Sequence, residues 1–371
     1  MKIKIKPFFQ PKTFRYGSIS LLIAAIVGIG IFTVTEQKNA GLGENNTDTP
    51  KKEIATKDAH CAFRRILDGV CVDSTEETNP KLAAIMIENH TAARPQAGLS
   101  AASIIYEAPV EGNIPRFLAI YPLSENLNVP TIGPVRSARE YFLNWVREYG
   151  DSFYLHVGGS PEALGHIKQY GINNLDEFFH GGTYFWRSPE HTAPHNTFTS
   201  SVMLQALLAK RGERYEDDTY SGWVYTHHPT CAEETCITNL SVDFGGHGYL
   251  VRWAYDKEKN QYLRSHGNLP HRDSTTNERL VADTLIIQEV KTRVYDEYGR
   301  LNMTQTGTGK ATIIRAGTLT NGTWKKETLA DRTHWLDEHG NPIVLQPGKI
   351  WIEVVNAATE VDIESTSTQG G

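Results

Sequence analysis

The first 35 positions of the 371-residue chain contain no acidic residue, although Lys2, Lys4, Lys6, Lys12 and Arg15 all fall there. Cysteine is scarce, at four residues. No fixed-period repeat is present, which sets aside solenoids and propellers. There is no H-E-x-x-H, and the histidines show no comparable metal-ligand spacing. His156, His191, His195, His227, His228, His247, His266 and His271 therefore read as scattered core or surface residues. Neither a metal nor a cofactor is expected.

One long apolar run is present. Gly17 to Val34 is uncharged over 18 residues, close to the ~17–25 that a spanning helix requires. With cations before it and Glu36, Glu44 and Asp48 after it, the positive-inside rule predicts a cytoplasmic tail at 1–16, an anchor at 17–34 and everything later outside. The run exceeds a signal-peptide core of ~7–15 residues, which favours a retained anchor over a cleaved one. No cysteine stands just after it, so a lipid anchor at that point is excluded. Residues 36–371 carry a net charge of −11. That excess argues against nucleic acid as a partner and against adhesion to anionic lipid.

The cysteines pair off in sequence, Cys61 with Cys71 and Cys231 with Cys236. Two local bridges fit best in an exterior setting where disulfides persist. A four-cysteine zinc site suits the spacing less well, because C-x9-C lacks the usual short separation. Free thiols are the other alternative.

Residues 35–58 are polar and predict a flexible linker; 357–371 read as a disordered tail. Between them the pattern changes once. In 59–221, strand-like runs at 82–88, 102–110, 116–123 and 152–157 alternate with helical spacing at 138–149, from 161, and at 200–212. Alternation of this kind predicts an α/β sandwich with some parallel pairing. In 222–356 short strands punctuated by Gly and Asn predict a β-rich second domain or layer, with a hairpin around Lys257–Asn260.

The runs "ENHTAARPQAGLSAASIIYEAPVEGNIPRFLAIY", "IGPVRSAR", "HVGGSPEAL" and "APHN" resemble the YerB-like, or DUF3048, family of bacterial envelope proteins. "LPHRD" and "GTWKK…LQPGKIWIEVV" are similar to its C-terminal domain. The likeness spans roughly residues 60–356. It implies a layered α/β sandwich and an envelope location, and it brings no assigned chemistry. Family members are commonly lipoproteins; this chain has an apolar run, expected to be a helix, where they have a lipid-bearing cysteine.

No catalytic motif is complete. "HVGGSPEALG" has the strand–turn–helix context of a nucleophile elbow, but Glu162 occupies the final glycine position. Ser160 reads better as an N-cap, with Pro161 at N1; Gly158, Gly159 and Ser160 could also cradle an anion with backbone amides. "GTGKAT" (307–312) fails as a phosphate loop at two positions and reads as a hairpin turn. His195 and Asn196 of "APHN" precede a helix and suggest a turn or cap.

"TIGPVRSARE" poses an electrostatic problem. Ser137 to Glu140 reads as a capping box, which places Arg136 and Arg139 at the positive end of a helix dipole. Acidic partners are therefore expected, Glu107 and Glu111 foremost, with Glu88 also at a strand end. At least one guanidinium is expected to keep donors free toward a cleft. Arg94, Arg116, Arg136 and Arg139 could share one rim of the sheet, either locked to these glutamates or open to an anion. The reading that follows is a membrane-anchored external binding or scaffolding protein. Its partners would be the membrane, through the helix, and an anionic wall polymer or wall-synthesis protein. The alternative is a hydrolase of peptidoglycan or another envelope glycan, using Glu107 or Glu111 with His156 or His195. A Glu–His or Glu–Glu pair in an open cleft, not neutralised by arginine, would favour that enzyme.

Overall fold

Apolar runs without alternation form strands that are covered on both faces. In the computed structural model, β1 (Leu82–Ile87), β2 (Ile104–Pro109), β3 (Pro115–Pro122) and β4 (Phe153–His156) are buried at every position. The structure describes residues 61–366, apart from 125, 212–219, 233–234 and 246–247. The tail, anchor and linker expected at 1–58 lie outside the described residues. Among those described, no helix is long and apolar enough to cross a membrane.

Helix α1 (Glu140–Val146) follows β3, and α2 (Pro161–Gln169) follows β4. The short strand β5 (Asn174–Asp176) leads into the single turn α3 (Glu177–His180), and α4 (Ser201–Arg211) follows. The second half supplies β6 (Ile237–Asp243), β7 (Leu250–Asp256), β8 (Gln261–His266), β9 (Leu269–Pro270) and β10 (Val281–Ala282). Next come β11 (Thr284–Glu289), β12 (Gly307–Arg315), β13 (Thr318–Lys326) and β14 (His334–Leu336), then β15 (Ile350–Val355) and β16 (Glu360–Ser365).

Ten strands form one sheet in the order β14-β13-β12-β11-β15-β2-β3-β1-β4-β5. The pairs β11–β15, β15–β2, β1–β4 and β4–β5 are parallel. A six-stranded sheet runs β9-β8-β7-β6-β16, with β10 also on β8. One apolar core, containing Ile87, Phe117, Trp351, Leu240 and Trp253, takes side chains from both sheets. A second, with Met86, Tyr106, Ile352, Phe142, Trp145 and Ile167, joins the opposite face of the larger sheet to α1 and α2. The architecture is a layered α/β sandwich rich in strand.

The structure bears on several of these expectations. The division at 221/222 does not separate two sheets, because β15 pairs in register with β2, Glu353 beside Glu107. The expected disordered tail holds β16, which pairs with β6 from Val361–Val242 to Glu364–Asn239; alternate residues Val361 and Ile363 pack on the core. "GTGKAT" lies in β12, not in a turn, and that hairpin turns at Ala316 and Gly317, both at positive φ. The hairpin expected near 257–260 does join β7 to β8, with Asn260 at φ 54°. Cys61–Cys71 and Cys231–Cys236 are both disulfides, with Cα atoms 5.4 and 5.3 Å apart.

The capping box also fails. Arg139 is the N-cap of α1 and makes no side-chain cap. Ala138 is drawn into a parallel bridge with Gly159, which holds this stretch extended and leaves Ser137 outside the first turn.

Candidate functional site

Strands β1, β4 and β5 are parallel, so their carboxyl ends lie along one edge, where open α/β sheets place their ligands. Glu88 directly follows β1. Val135 bridges Ile87, and the Arg136 amide donates to the Met86 carbonyl, so Arg136 is carried alongside Glu88. Arg136 Nε pairs with Glu88 Oε2, and His195 Nδ1 lies 3.3 Å from the same oxygen. The His195 ring stacks on His90 with centroids 5.1 Å apart. Glu88 is only 4% exposed, whereas Arg136 is 24% exposed. Among the described residues, the two outer nitrogens of Arg136 have no partner.

The other expected arginines are engaged differently. Arg139 donates from Nε and Nη2 to the two Glu111 oxygens at 2.6 and 2.9 Å, and from Nη1 to the Ala138 carbonyl at 2.8 Å. Burial would raise the Glu111 carboxyl, but hydrogen bonds and charge from Arg139 outweigh it and hold it below the usual range. Arg116 donates to the Ser137 carbonyl at 2.7 Å. Burial, with Arg139 beside it, brings Arg116 down to about 10. Arg94 turns away from the rim, donating to Asn89 Oδ1 at 3.0 Å and the Gly248 carbonyl at 2.6 Å, over the Tyr249 ring.

Glu107 is not a partner of Arg136 or Arg139. It lies between the sheets, fully buried, and accepts from Arg264 Nη2 at 2.7 Å, Trp351 Nε1 at 3.1 Å and Asn89 Nδ2 at 2.9 Å. Glu353, its neighbour in register, accepts from Trp253 Nε1 at 2.8 Å. Burial raises both carboxyls, and the charge of Glu107 raises Glu353 further. Arg264, Trp351 and Asn89 favour an ionised Glu107, so the proton of this pair resides on Glu353. The expectation that Glu107 stands at a strand end on the rim is corrected: it lies within β2, opposite Arg264 of the facing sheet, which takes it inside.

The remaining candidates have their polar groups occupied. His156 is fully buried, with Nδ1 2.7 Å from the Gly158 carbonyl and Nε2 2.6 Å from Asn174 Oδ1, and among the described residues it pairs with no carboxylate. Ser160 caps α2, its Oγ accepting from the Ala163 amide at 3.2 Å. The Gly158 amide donates to Asp176 and the Ser160 amide to the Ala138 carbonyl, so two of the three amides of the Gly158–Gly159–Ser160 turn are engaged within the fold. Asn196 Oδ1 accepts from Arg187, which is also paired bidentately with Glu177. Among the described residues no His, Cys, Asp and Glu side chains are grouped to hold a metal ion. A groove of about 650 Å³ on the outer face of the smaller sheet, lined by Asn239, Ser241, Arg252 and Asn268, includes none of the rim arginines.

Sequence reasoning missed His90, Asn89, Arg264 and Glu353 as members of these clusters. The available signal was a charge inside an otherwise apolar strand, as in "IWIEVV", which requires a buried partner.

The fold and these clusters define a class: a two-sheet α/β sandwich with an arginine–glutamate rim at its parallel carboxyl ends. The chain belongs to the DUF3048 family. The model described as "Protein of unknown function (DUF3048) N-terminal domain" matches residues 67–214, and that of the DUF3048 C-terminal domain matches 240–352. The chain is similar to "Putative lipoprotein YerB" of Bacillus subtilis (strain 168), 31% identical over 280 residues, covering 75% of this chain and 82% of that protein. The crystal structure of the YerB protein from Bacillus subtilis superposes with a TM-score of 0.70 at 28% identity, covering 81% of this chain and 99% of that one.

Proposed function

We propose that this chain is an extracytoplasmic binding protein held at the cell membrane, recognising an anionic wall component or a wall-synthesis partner at the Glu88–Arg136–His195 rim. The observation that carries the reading is the contrast between Arg136 and Arg139. Arg139 spends its donors on Glu111 and Ala138, whereas Arg136 is oriented by Glu88 through Nε and leaves its outer nitrogens facing outward. A guanidinium fixed in this way suits a carboxylate or phosphate. The similarity to a relative named as a lipoprotein, and the apolar run at 17–34, support the location. Both acid pairs, Glu88–His195 and Glu107–Glu353, have an arginine beside them, Arg136 and Arg264. That favours binding over acid–base chemistry.

Thermal melts of the wild type, Arg136→Ala and Arg139→Ala, with and without phosphate or a wall stem peptide, test the site. Arg139→Ala is expected to cost about 1.5–3 kcal/mol, as the loss of charge-assisted bonds does, and to keep the ligand response. Arg136→Ala is expected to abolish that response and, because it strips the buried Glu88 of its cation, to cost at least as much stability as Arg139→Ala. Large destabilisation by both variants with no anion effect on the wild type would overturn the reading. Alkaline carbonate should leave the full chain in the membrane pellet; release of a chain with a new N-terminus after residue 34 would remove the anchor.

A further inference from the structure

Beneath the 89–96 loop, between the two sheets, buried hydrogen-bonding atoms without a partner are concentrated. They include Arg264 Nε and Nη1, Arg94 Nη2, both nitrogens of His266 and His271 Nδ1. Arg264 is 0% exposed and His271 3%. The rings of His266 and His271 lie 4.2 Å apart between centroids. A short relay sets their proton positions. The Gln96 amide donates to the Glu88 carbonyl and to Asn89 Oδ1, so its oxygen accepts from His271 Nε2 at 2.7 Å. His271 Nδ1 is then bare, while Arg264, Arg94 and His266 hold the unused donors. A buried donor left unsatisfied is costly, so a fold that leaves several together has a place for an acceptor.

The charges agree with this. Arg94 lies close enough to Arg264 to be lowered by it, after burial, to about 10, and Glu107 is the acid that acts on it. Burial, then Arg264, hold both imidazoles neutral. Two guanidiniums thus face one ionised carboxylate, Glu107, because Glu353 keeps its proton. The remaining positive charge meets ring faces, with Arg264 over Trp351, Trp253 and Phe117 and Arg94 over Tyr249, which attract a cation but accept none of its in-plane hydrogen bonds.

We infer that this cluster is a binding site for one small monovalent anion, of halide or carboxylate class, held by Arg264 and Arg94 with His266 alongside. The half-buried Arg94 and the exposed Gly248, joined by the 2.6 Å hydrogen bond, mark its mouth. The site is separate from the Arg136 rim and stands or falls without it.

The test uses the full chain in detergent, in a buffer whose anion is too bulky to enter, with bromide or formate added at constant ionic strength. The wild type is expected to show a saturable rise in melting temperature. Arg94→Gln should weaken the apparent affinity at least about tenfold. Glu107→Gln removes the opposing acid and should tighten it, an inversion that a purely structural cluster would not give. If Glu107→Gln does not fold, Arg94→Gln and an anomalous bromide peak beside Arg264 in crystals still decide. No saturable response, or ordered water alone at Arg264 in bromide-soaked crystals, would overturn the inference.

Discussion

Glu353 makes stability depend on pH in a way its neighbours oppose. Its folded pKa is raised, so the stability it contributes is complete below the unfolded value near ~4.3 and is lost as pH rises toward the folded one. His266 and His271 are lowered by burial first, so the unfolded chain takes up protons below ~6.5 that the folded chain refuses. Their contribution is present above that value and is lost as pH falls. Both trends are steep, about 1.4 kcal/mol per pH unit for each proton. These three groups alone give greatest stability near pH ~6.5. Glu353→Gln keeps a donor beside Glu107 without needing a proton. Its stability relative to the wild type is expected to climb between pH 6 and 8, and urea melts across that range would show it. A pH-independent difference would mean that Glu353 is ionised. None of this was readable from local sequence, since the pairing of Glu353 with Glu107 depends on register between strands almost 250 positions apart. Arg139 and Glu111, by contrast, were legible as an electrostatic need at a helix start.

At the scale of elements, periodicity and punctuation carried well where side chains were uniform. The apolar runs of β1 to β4, the Ser160–Pro161 start of α2 and the start of α4 at Ser201 all fall within two residues of expectation. Ser137 misled because capping is a local rule and the bridge to Gly159 is a tertiary contact. β16 was missed for a different reason. It alternates exposed Glu360, Asp362 and partly covered Val361 and Ile363, and its polar face resembles a solvated tail until a neighbouring strand is present. Ser160 offers a test at this scale. Ser160→Ala is expected to cost about 0.5–2 kcal/mol, and Ser160→Asp to restore most of it. A covalent adduct on Ser160 with an acyl or phosphonate probe would instead identify a nucleophile.

For the whole molecule, β11 to β15 are as much a part of the larger sheet as β1 to β5. Truncation after Asn356 removes β16, bares one edge of β6 and uncovers core apolar groups. It should lower the denaturation midpoint and increase self-association, read by urea melts and light scattering; an unchanged midpoint would mean that β16 is dispensable. The family models break between residues 214 and 240, yet the sheet does not break there. β15 sits between β11 and β2, which has a consequence for how the chain comes into being. When the ribosome has made 300 residues, β2 and β11 already exist but the strand that joins them does not. Each then presents an open edge able to recruit other chains, and the closing contact spans a long loop that is slow to form. Assembly of the central sheet therefore waits until residues 350–355 have been made, and the nascent protein depends on whatever shields those two edges in the interval.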